Sequence, residues 1–171
     1  MERTERSIEI GELTRIEVGS IGLLERLRPA LGRDLRVRCL GGFAMSGPLV
    51  RVAPQWGLID EGQGRESVLA LGSVISIAGL GRLSAPPGAG GAVESHLSIR
   101  QALRAVAADR SLAQLWLSDG SVRSGTVDRV GKDFLELSLH APGEARRSAD
   151  VREVQLVRIA GLVALRRDSL L

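Results

Sequence analysis

Residues 118–130, SDGSVRSGTVDRV, align without a gap on residues 40–52, LGGFAMSGPLVRV, at a shift of 78 residues. Five pairs of positions in this alignment are identical: Gly42/Gly120, Ser46/Ser124, Gly47/Gly125, Arg51/Arg129 and Val52/Val130. The same shift pairs Trp56 with Phe134, and the tetrapeptide at 77–80, IAGL, recurs at 159–162. Similarity at a fixed spacing is typical of a duplicated structural unit. The sequence therefore predicts an internal repeat.

Both copies of this segment have the residue pattern of short strands joined by tight turns. Gly41-Gly42 and Asp119-Gly120 supply the positive φ of a hairpin turn. Gly47 and Gly125 lie inside the following strand, where a glycine usually marks a bend or a bulge. A third strand begins at Trp56 or Phe134, whose rings we expect to be buried in the core. Polar loops at 61–66 and 140–150 follow, and the last two strands of each copy meet at corners near 71–74 and 151–154.

A helix precedes the strands of each copy. Leucines at helical spacing predict one in residues 21–31, where Pro29 weakens the last turn. Apolar residues from Leu97 to Ala107 predict the second, with Ser95 or Ser98 as its N-cap. Residues 84–92, SAPPGAGGA, have the composition of a flexible linker. The predicted organisation is an N-terminal extension (1–20), a first unit (21–83), the linker (84–92) and a second unit (93–171).

The order of one helix and about five short strands, twice, predicts a mainly β fold with short helices. Gly120-x4-Gly125-Thr126-Val127 followed by Asp133-Phe134-Leu135-Glu136-Leu137 resembles the first signature segment of Sm-like proteins, which are small SH3-like β-barrels. The resemblance implies two tandem Sm-like barrels, each preceded by a helix. More loosely, the whole chain resembles two-copy proteins of high-GC Gram-positive bacteria.

The resemblance concerns folding residues more than ligand-binding residues. Sm-like RNA binders use an Asn after the bent strand and an Arg-Gly pair before the last strand. Here the corresponding segments read Lys132-Asp133-Phe134-Leu135 and Val151-Arg152-Glu153-Val154. Neither segment supplies those groups, so the uridine-type pocket of the family is not expected. What the resemblance does imply is association through barrel edges, the strand addition by which Sm-like subunits make rings.

The composition of the 171 residues is that of a globular protein, with 25% charged and 44% apolar residues. The 23 basic residues, of which Lys132 is the single lysine, exceed the 20 acidic ones by only three. The sequence has no apolar run long enough for a membrane span, and its charged N-terminus is unlike a secretory signal. We therefore expect a cytoplasmic protein without membrane contact, and the resemblance to two-copy proteins implies a bacterial one. The single cysteine, Cys39, cannot form an intramolecular disulfide, and we expect it to be buried as a small hydrophobe.

Residues that could support catalysis are scarce. His96 and His140 have no nucleophile or base at a suitable spacing, and two distant histidines with one cysteine do not form a metal site. The linker glycines lack the Lys-Ser/Thr that a phosphate-binding loop requires. We therefore predict no enzymatic activity, no cofactor and no metal.

Two kinds of binding function remain. The leading prediction is a non-enzymatic interaction or assembly module that binds a protein partner or itself through its barrel edges. The alternative is an RNA- or DNA-binding protein that uses an Arg-rich barrel surface. For either kind of partner, the densest basic set outside the helices gives the candidate residues: Arg123, Arg129, Lys132, Arg146 and Arg147.

Overall fold

Ten antiparallel strands and two short helices form the described part of the chain, which in this computed structural model comprises residues 18–90, 97–139 and 153–168. We call residues 18–90 the first half and residues 97–139 with 153–168 the second half. The helices are α1 (Leu23–Leu27) and α2 (Ile99–Asp109). The strands of the first half are β1 (Asp34–Cys39), β2 (Ala44–Val52), β3 (Trp56–Gly62), β4 (Arg65–Ala70) and β5 (Val74–Ala78). Those of the second half are β6 (Leu112–Leu117), β7 (Val122–Val130), β8 (Phe134–Leu139), β9 (Glu153–Arg158) and β10 (Leu162–Asp168).

All ten strands belong to one sheet, in the order β5-β1-β2-β3-β4-β10-β6-β7-β8-β9. Within each half the fifth strand lies beside the first, so the spatial order is the same in both. The expectation of a mainly β fold with short helices is confirmed.

The strand registers of the two halves also correspond. In the first half Leu49 pairs with Ile59, and in the second half Val127 pairs with Leu137, at a shift of 78 residues. The ladder slips by one residue just after Leu49 and just after Val127. In the last two strands of each half the shift is 88 residues. Val37 pairs with Ile77 in the first half, and Leu115 pairs with Leu165 in the second, so that Ile77 corresponds to Leu165. We call two residues at the same place in the two ladders counterparts.

Gly47 and Gly125 are counterparts, and both lie where two strands approach too closely for a side chain. A Cβ atom on Gly47 would lie 1.9 Å from the carbonyl oxygen of Asp60, and one on Gly125 would lie 2.2 Å from that of Ser138. Gly47 also has a φ of 150°, which other residues rarely adopt. The two glycines therefore occupy equivalent positions in β2 and β7, where the sequence predicts a bend.

Both helices form where the spacing of apolar residues predicts them, but they differ in length. Helix α1 ends at Leu27 and continues as a 3-10 turn, Arg28–Ala30, because Pro29 has no N–H for an α-helical hydrogen bond. Helix α2 begins after Ser98, whose backbone N–H donates to Gln101 Oε1 at 2.9 Å. Ile99, Leu103 and Val106 form its buried face.

Two expected boundaries are wrong. The corner between the last two strands of the second half is the 3-10 turn Ile159–Gly161, whereas the predicted corner at 151–154 overlaps the start of β9. The match of 77–80 with 159–162 was therefore misleading, because Ile77 and Ala78 end β5 while the structural counterpart of Ile159–Gly161 is the turn Leu71–Ser73. The predicted loop at 61–66 is only a tight turn at Gln63-Gly64. Residues 140–150 lie outside the described residues.

Two apolar clusters form the core, and each takes side chains from both halves. The first-half cluster includes Val163 and Ala164 of β10, and the second-half cluster includes Trp56 and Val68 of β3 and β4. Trp56 is buried as predicted. Phe134 is only half-buried, because its ring packs over Gly131 in the turn before β8 rather than in the core.

Candidate assembly interface

Strands β4 and β10 join the two halves edge to edge. Five consecutive pairs, from Ala164–Leu69 to Asp168–Arg65, form this antiparallel ladder. The contact thus links the fourth strand of one half to the fifth strand of the other. We call it the internal junction.

A largely buried ion pair lies at the centre of the internal junction. The guanidinium of Arg166 donates from Nε to Glu61 Oε1 at 2.8 Å and from the terminal nitrogen Nη2 to Glu61 Oε2 at 2.6 Å. The Ser67 hydroxyl also donates to Glu61. The side chains of Glu61 and Arg166 are 12% and 20% exposed. Because both carboxylate oxygens are engaged in a planar, two-point contact, this pair fixes the position of β10 against β3 and β4.

Aromatic rings cover the other side of Arg166. Its guanidinium carbon lies 4.5 Å from the ring centre of Trp116 in β6 and 5.7 Å from that of Phe43, which precedes β2. The two rings are 4.4 Å apart and tilted by 33°. Phe43 belongs to the first half and Trp116 to the second, so these contacts also hold the halves together.

The apolar side chains of the junction cross from one half to the other. Val163, at the slip in the ladder of β10, is completely buried in the first-half cluster. Val68 in turn is buried in the second-half cluster. At the rim, Arg167 forms ion pairs with Glu66, at 3.1 Å, and with Asp109. The internal junction therefore combines backbone pairing, exchanged apolar side chains and ion pairs.

The two outermost strands, β5 and β9, are the counterparts of β10 and β4. Within residues 18–90, 97–139 and 153–168, each pairs on one side only. Ile75 in β5 is 65% exposed, and Leu156 in β9 is 57% exposed. Ile75 is the counterpart of Val163, and Leu156 is the counterpart of Val68. Two apolar side chains are thus exposed at places where the internal junction buries its own.

The structure does not bring the predicted basic residues together. Arg123 donates to Gln155 at 3.2 Å and to the carbonyl of Val122 at 3.0 Å, and Arg129, 80% exposed, faces Glu136 at 3.6 Å. These two arginines are six residues apart on one strand, roughly 20 Å. Lys132 lies in the turn before β8. Arg146 and Arg147 lie outside the described residues, as do His96 and His140.

A pair of arginines outside the predicted set does lie together. Arg36 and Arg38 alternate with the buried Leu35, Val37 and Cys39 on β1, and they line a cleft of ≈ 550 Å³. The alternation is visible in the sequence and could have identified them as neighbours on one face. No comparable sequence pattern identifies the residues whose roles depend on which strands lie at the edges: Glu61, Arg166, Ile75 and Leu156.

Cys39 is buried at the end of β1, and we expect it to react slowly with thiol reagents. Burial raises the pKa of its thiol, an effect that a hydrogen bond from Ser73 partly offsets. A raised pKa leaves less thiolate at neutral pH, and the thiolate is the reactive form. Alkylation by iodoacetamide at neutral pH, followed by mass spectrometry, should show slow labelling of the folded chain and rapid labelling in denaturant. Equally rapid labelling in both conditions would contradict the burial.

Neither a family model nor a curated protein matches the sequence. Across the residues that the structure describes, no three metal-binding side chains form a group, and no helix is both long and apolar enough to cross a membrane.

Proposed function

We propose that the chain is a non-enzymatic assembly module built from two Sm-like barrels, and that its outer strands β5 and β9 pair with further copies of the chain. The observation that carries the proposal is the internal junction, in which a fourth strand and a fifth strand of different halves already pair edge to edge. A β5–β9 contact between chains repeats that pairing.

The likeness of the two halves supports an origin by duplication. Both have the strand order fifth-first-second-third-fourth, a slip in the second strand and a 3-10 turn between the last two strands. Both place a glycine at the bend of the second strand. A bent five-stranded sheet of this order after a helix is what the Sm-like resemblance implies.

The chemistry of the outer strands supports pairing with another chain. An unpaired edge presents backbone N–H and C=O groups that can bind a further strand. Monomeric proteins commonly protect such edges with charged residues or proline. Strand β5, VISIA, contains neither, and β9 exposes Val154 and Leu156 between its charged ends. Because β5 and β9 are different surfaces, chains would associate head to tail, which gives a ring or an open filament.

Sedimentation of the purified chain at several concentrations tests this proposal. We expect the mass to rise above that of the 18.2 kDa monomer. Leu156→Lys or Ile75→Lys should weaken association at least about tenfold, because each would place an unpaired charge in the contact. Val50→Lys is the matched control, since Val50 is 51% exposed on an inner strand and should have little effect.

A monomer mass at every concentration would contradict the proposal. So would association that Val50→Lys weakens as strongly as Leu156→Lys does. If the chain stays monomeric but binds single-stranded RNA with submicromolar affinity at physiological salt, the nucleic-acid alternative is favoured instead.

A further inference from the structure

Arg36 and Arg38 lie side by side on the outward face of β5, β1 and β2. Two residues apart on one strand, they are about 7 Å apart. The residues that pair with them on the adjacent strands are small: Ser46, Ala44, Ala78 and Ser76. Neither guanidinium has a hydrogen bond or an ion pair among the described residues. This face therefore presents two cations to the cleft that they line.

The cleft beside these arginines contains little compensating charge. Glu61 is the single acidic residue among its lining residues, and both of its carboxylate oxygens already bind Arg166. An acidic group from outside would therefore find two cations that have no partner in the described part of the chain. Charge complementarity favours an anionic occupant.

The second half shows what occupies the equivalent face. There Trp116 is the counterpart of Arg38, and Arg166 is the counterpart of Ala78. Phe43 and Glu61 of the first half contact these two residues across the internal junction. The β1–β2 turn also approaches closely, since a Cβ atom on Gly41 would lie 2.7 Å from the carbonyl oxygen of Leu117. In the internal junction, the β1–β2 turn of one half thus covers this face of the other.

We propose that the Arg36–Arg38 face binds the β6–β7 turn of a second copy, with Asp119 of that turn facing Arg38. The inference rests on the proposed head-to-tail pairing of β9 with β5. In that pairing the β6–β7 turn of one chain takes the place of the β1–β2 turn and reaches the first half of the next chain. Asp119 and Ser121 are the counterparts of Gly41 and Phe43.

The β6–β7 turn has the charge and the rigidity that this role needs. Asp119 is exposed and accepts hydrogen bonds from the backbone N–H and the hydroxyl of Ser121, at 2.9 and 2.6 Å. These bonds lower the pKa of the carboxyl group, so it is ionised at neutral pH. They also hold the carboxylate beside Ser121. Ser121 is the counterpart of Phe43, which contacts Trp116 in the internal junction. The Asp119 carboxylate is therefore already positioned to face Arg38 of the next chain.

The internal junction and the proposed contact between chains would then use different side chains at equivalent positions. The Phe43–Trp116 contact of the internal junction becomes a contact of Ser121 and Asp119 with Arg38. The Glu61–Arg166 ion pair becomes a contact between Leu139 and Ala78, which are their counterparts. This exchange disfavours wrong pairings, because a β1–β2 turn would bring no anion to the arginines.

Charge exchange between Arg38 and Asp119 tests the inference. Arg38→Asp or Asp119→Arg alone should weaken self-association about tenfold or more, because like charges would meet. The double variant should regain association, and so should an equimolar mixture of the two single variants. Arg104→Asp, the same change of charge on the exposed side of α2, is the control and should have no effect.

Two results would overturn the inference while leaving the proposed function intact. In the first, Leu156→Lys dissociates the chains but Arg38→Asp does not. In the second, both single variants dissociate and the mixture does not recover. If, in the first of these results, Arg38→Asp also weakens binding of single-stranded RNA, the face is a nucleic-acid site. If the wild-type chain does not self-associate at any concentration, both the inference and the proposed function are wrong.

Discussion

Replacing Gly47 with alanine is expected to destabilise the folded chain by about 3–5 kcal/mol, because the new Cβ atom would overlap a backbone oxygen at a strained φ. The overlapping atom is the carbonyl oxygen of Asp60, 1.9 Å from the Cβ position, and a backbone atom cannot move aside as a flexible side chain can. Gly125→Ala should have a comparable effect, since its Cβ would lie 2.2 Å from the oxygen of Ser138. Denaturant-induced unfolding followed by circular dichroism measures both.

Gly72→Ala is the matched control for these two variants. Gly72 has no atom within 4 Å of its Cβ position and does not have a positive φ. Its replacement should change the free energy of unfolding by less than about 1 kcal/mol. If Gly47→Ala and Gly72→Ala unfold at the same denaturant concentration, the close approach of β2 and β3 is not required for folding.

Replacing Arg166 with alanine is the second change expected to have a large effect. It would leave the Glu61 carboxylate, 12% exposed, without its cation, and it would remove the contacts with Trp116 and Phe43. Breaking a buried ion pair from one side costs about 3–5 kcal/mol. We expect a loss of this size in the free energy of unfolding, measured in denaturant.

The surface pair Arg129–Glu136 provides the comparison. Arg129 is 80% exposed, so Arg129→Ala should cost less than about 1 kcal/mol. The double change Glu61→Leu with Arg166→Leu should restore much of the lost stability, because apolar pairs often replace buried ion pairs at little cost. A double variant that is less stable than Arg166→Ala would show that Glu61 contributes independently of Arg166.

The elements near the aligned segment could be predicted from sequence because local patterns determine them. The glycine of the bent strand, the hairpin turns and the helical spacing of apolar residues in α2 each constrain the backbone over a few residues. Outside the gap-free alignment, local patterns do not show which elements of the two halves correspond. The match of 77–80 with 159–162 linked two different elements, because four similar residues do not determine a register across a loop of different length.

The candidate interface was less predictable than the fold. The density of basic residues in the sequence predicts that Arg123, Arg129 and Lys132 share a surface. A strand extends about 3.3 Å per residue, however, so residues that are close in sequence lie far apart along it. The importance of Arg166, Ile75 and Leu156 depends on which strands pair across the halves. That pairing is a property of the sheet order and leaves no periodic signal in the sequence.

Cross-linking between chains tests the central claim, the pairing of β5 with β9, most directly. In the internal junction Arg166 pairs with Ser67. Their counterparts are Ala78 and Gln155, so Ala78 of one chain is expected to pair with Gln155 of the next. In a Cys39→Ser background, Ala78→Cys chains are mixed with Gln155→Cys chains of distinct mass and oxidised. Ala78→Cys mixed with Glu153→Cys, two residues out of register, is the control. Pairing of β5 with β9 predicts a disulfide between unlike chains for the in-register pair and little for the control, because a disulfide requires Cα atoms within about 7 Å. Equal cross-linking of the two mixtures, or none in either, would contradict it.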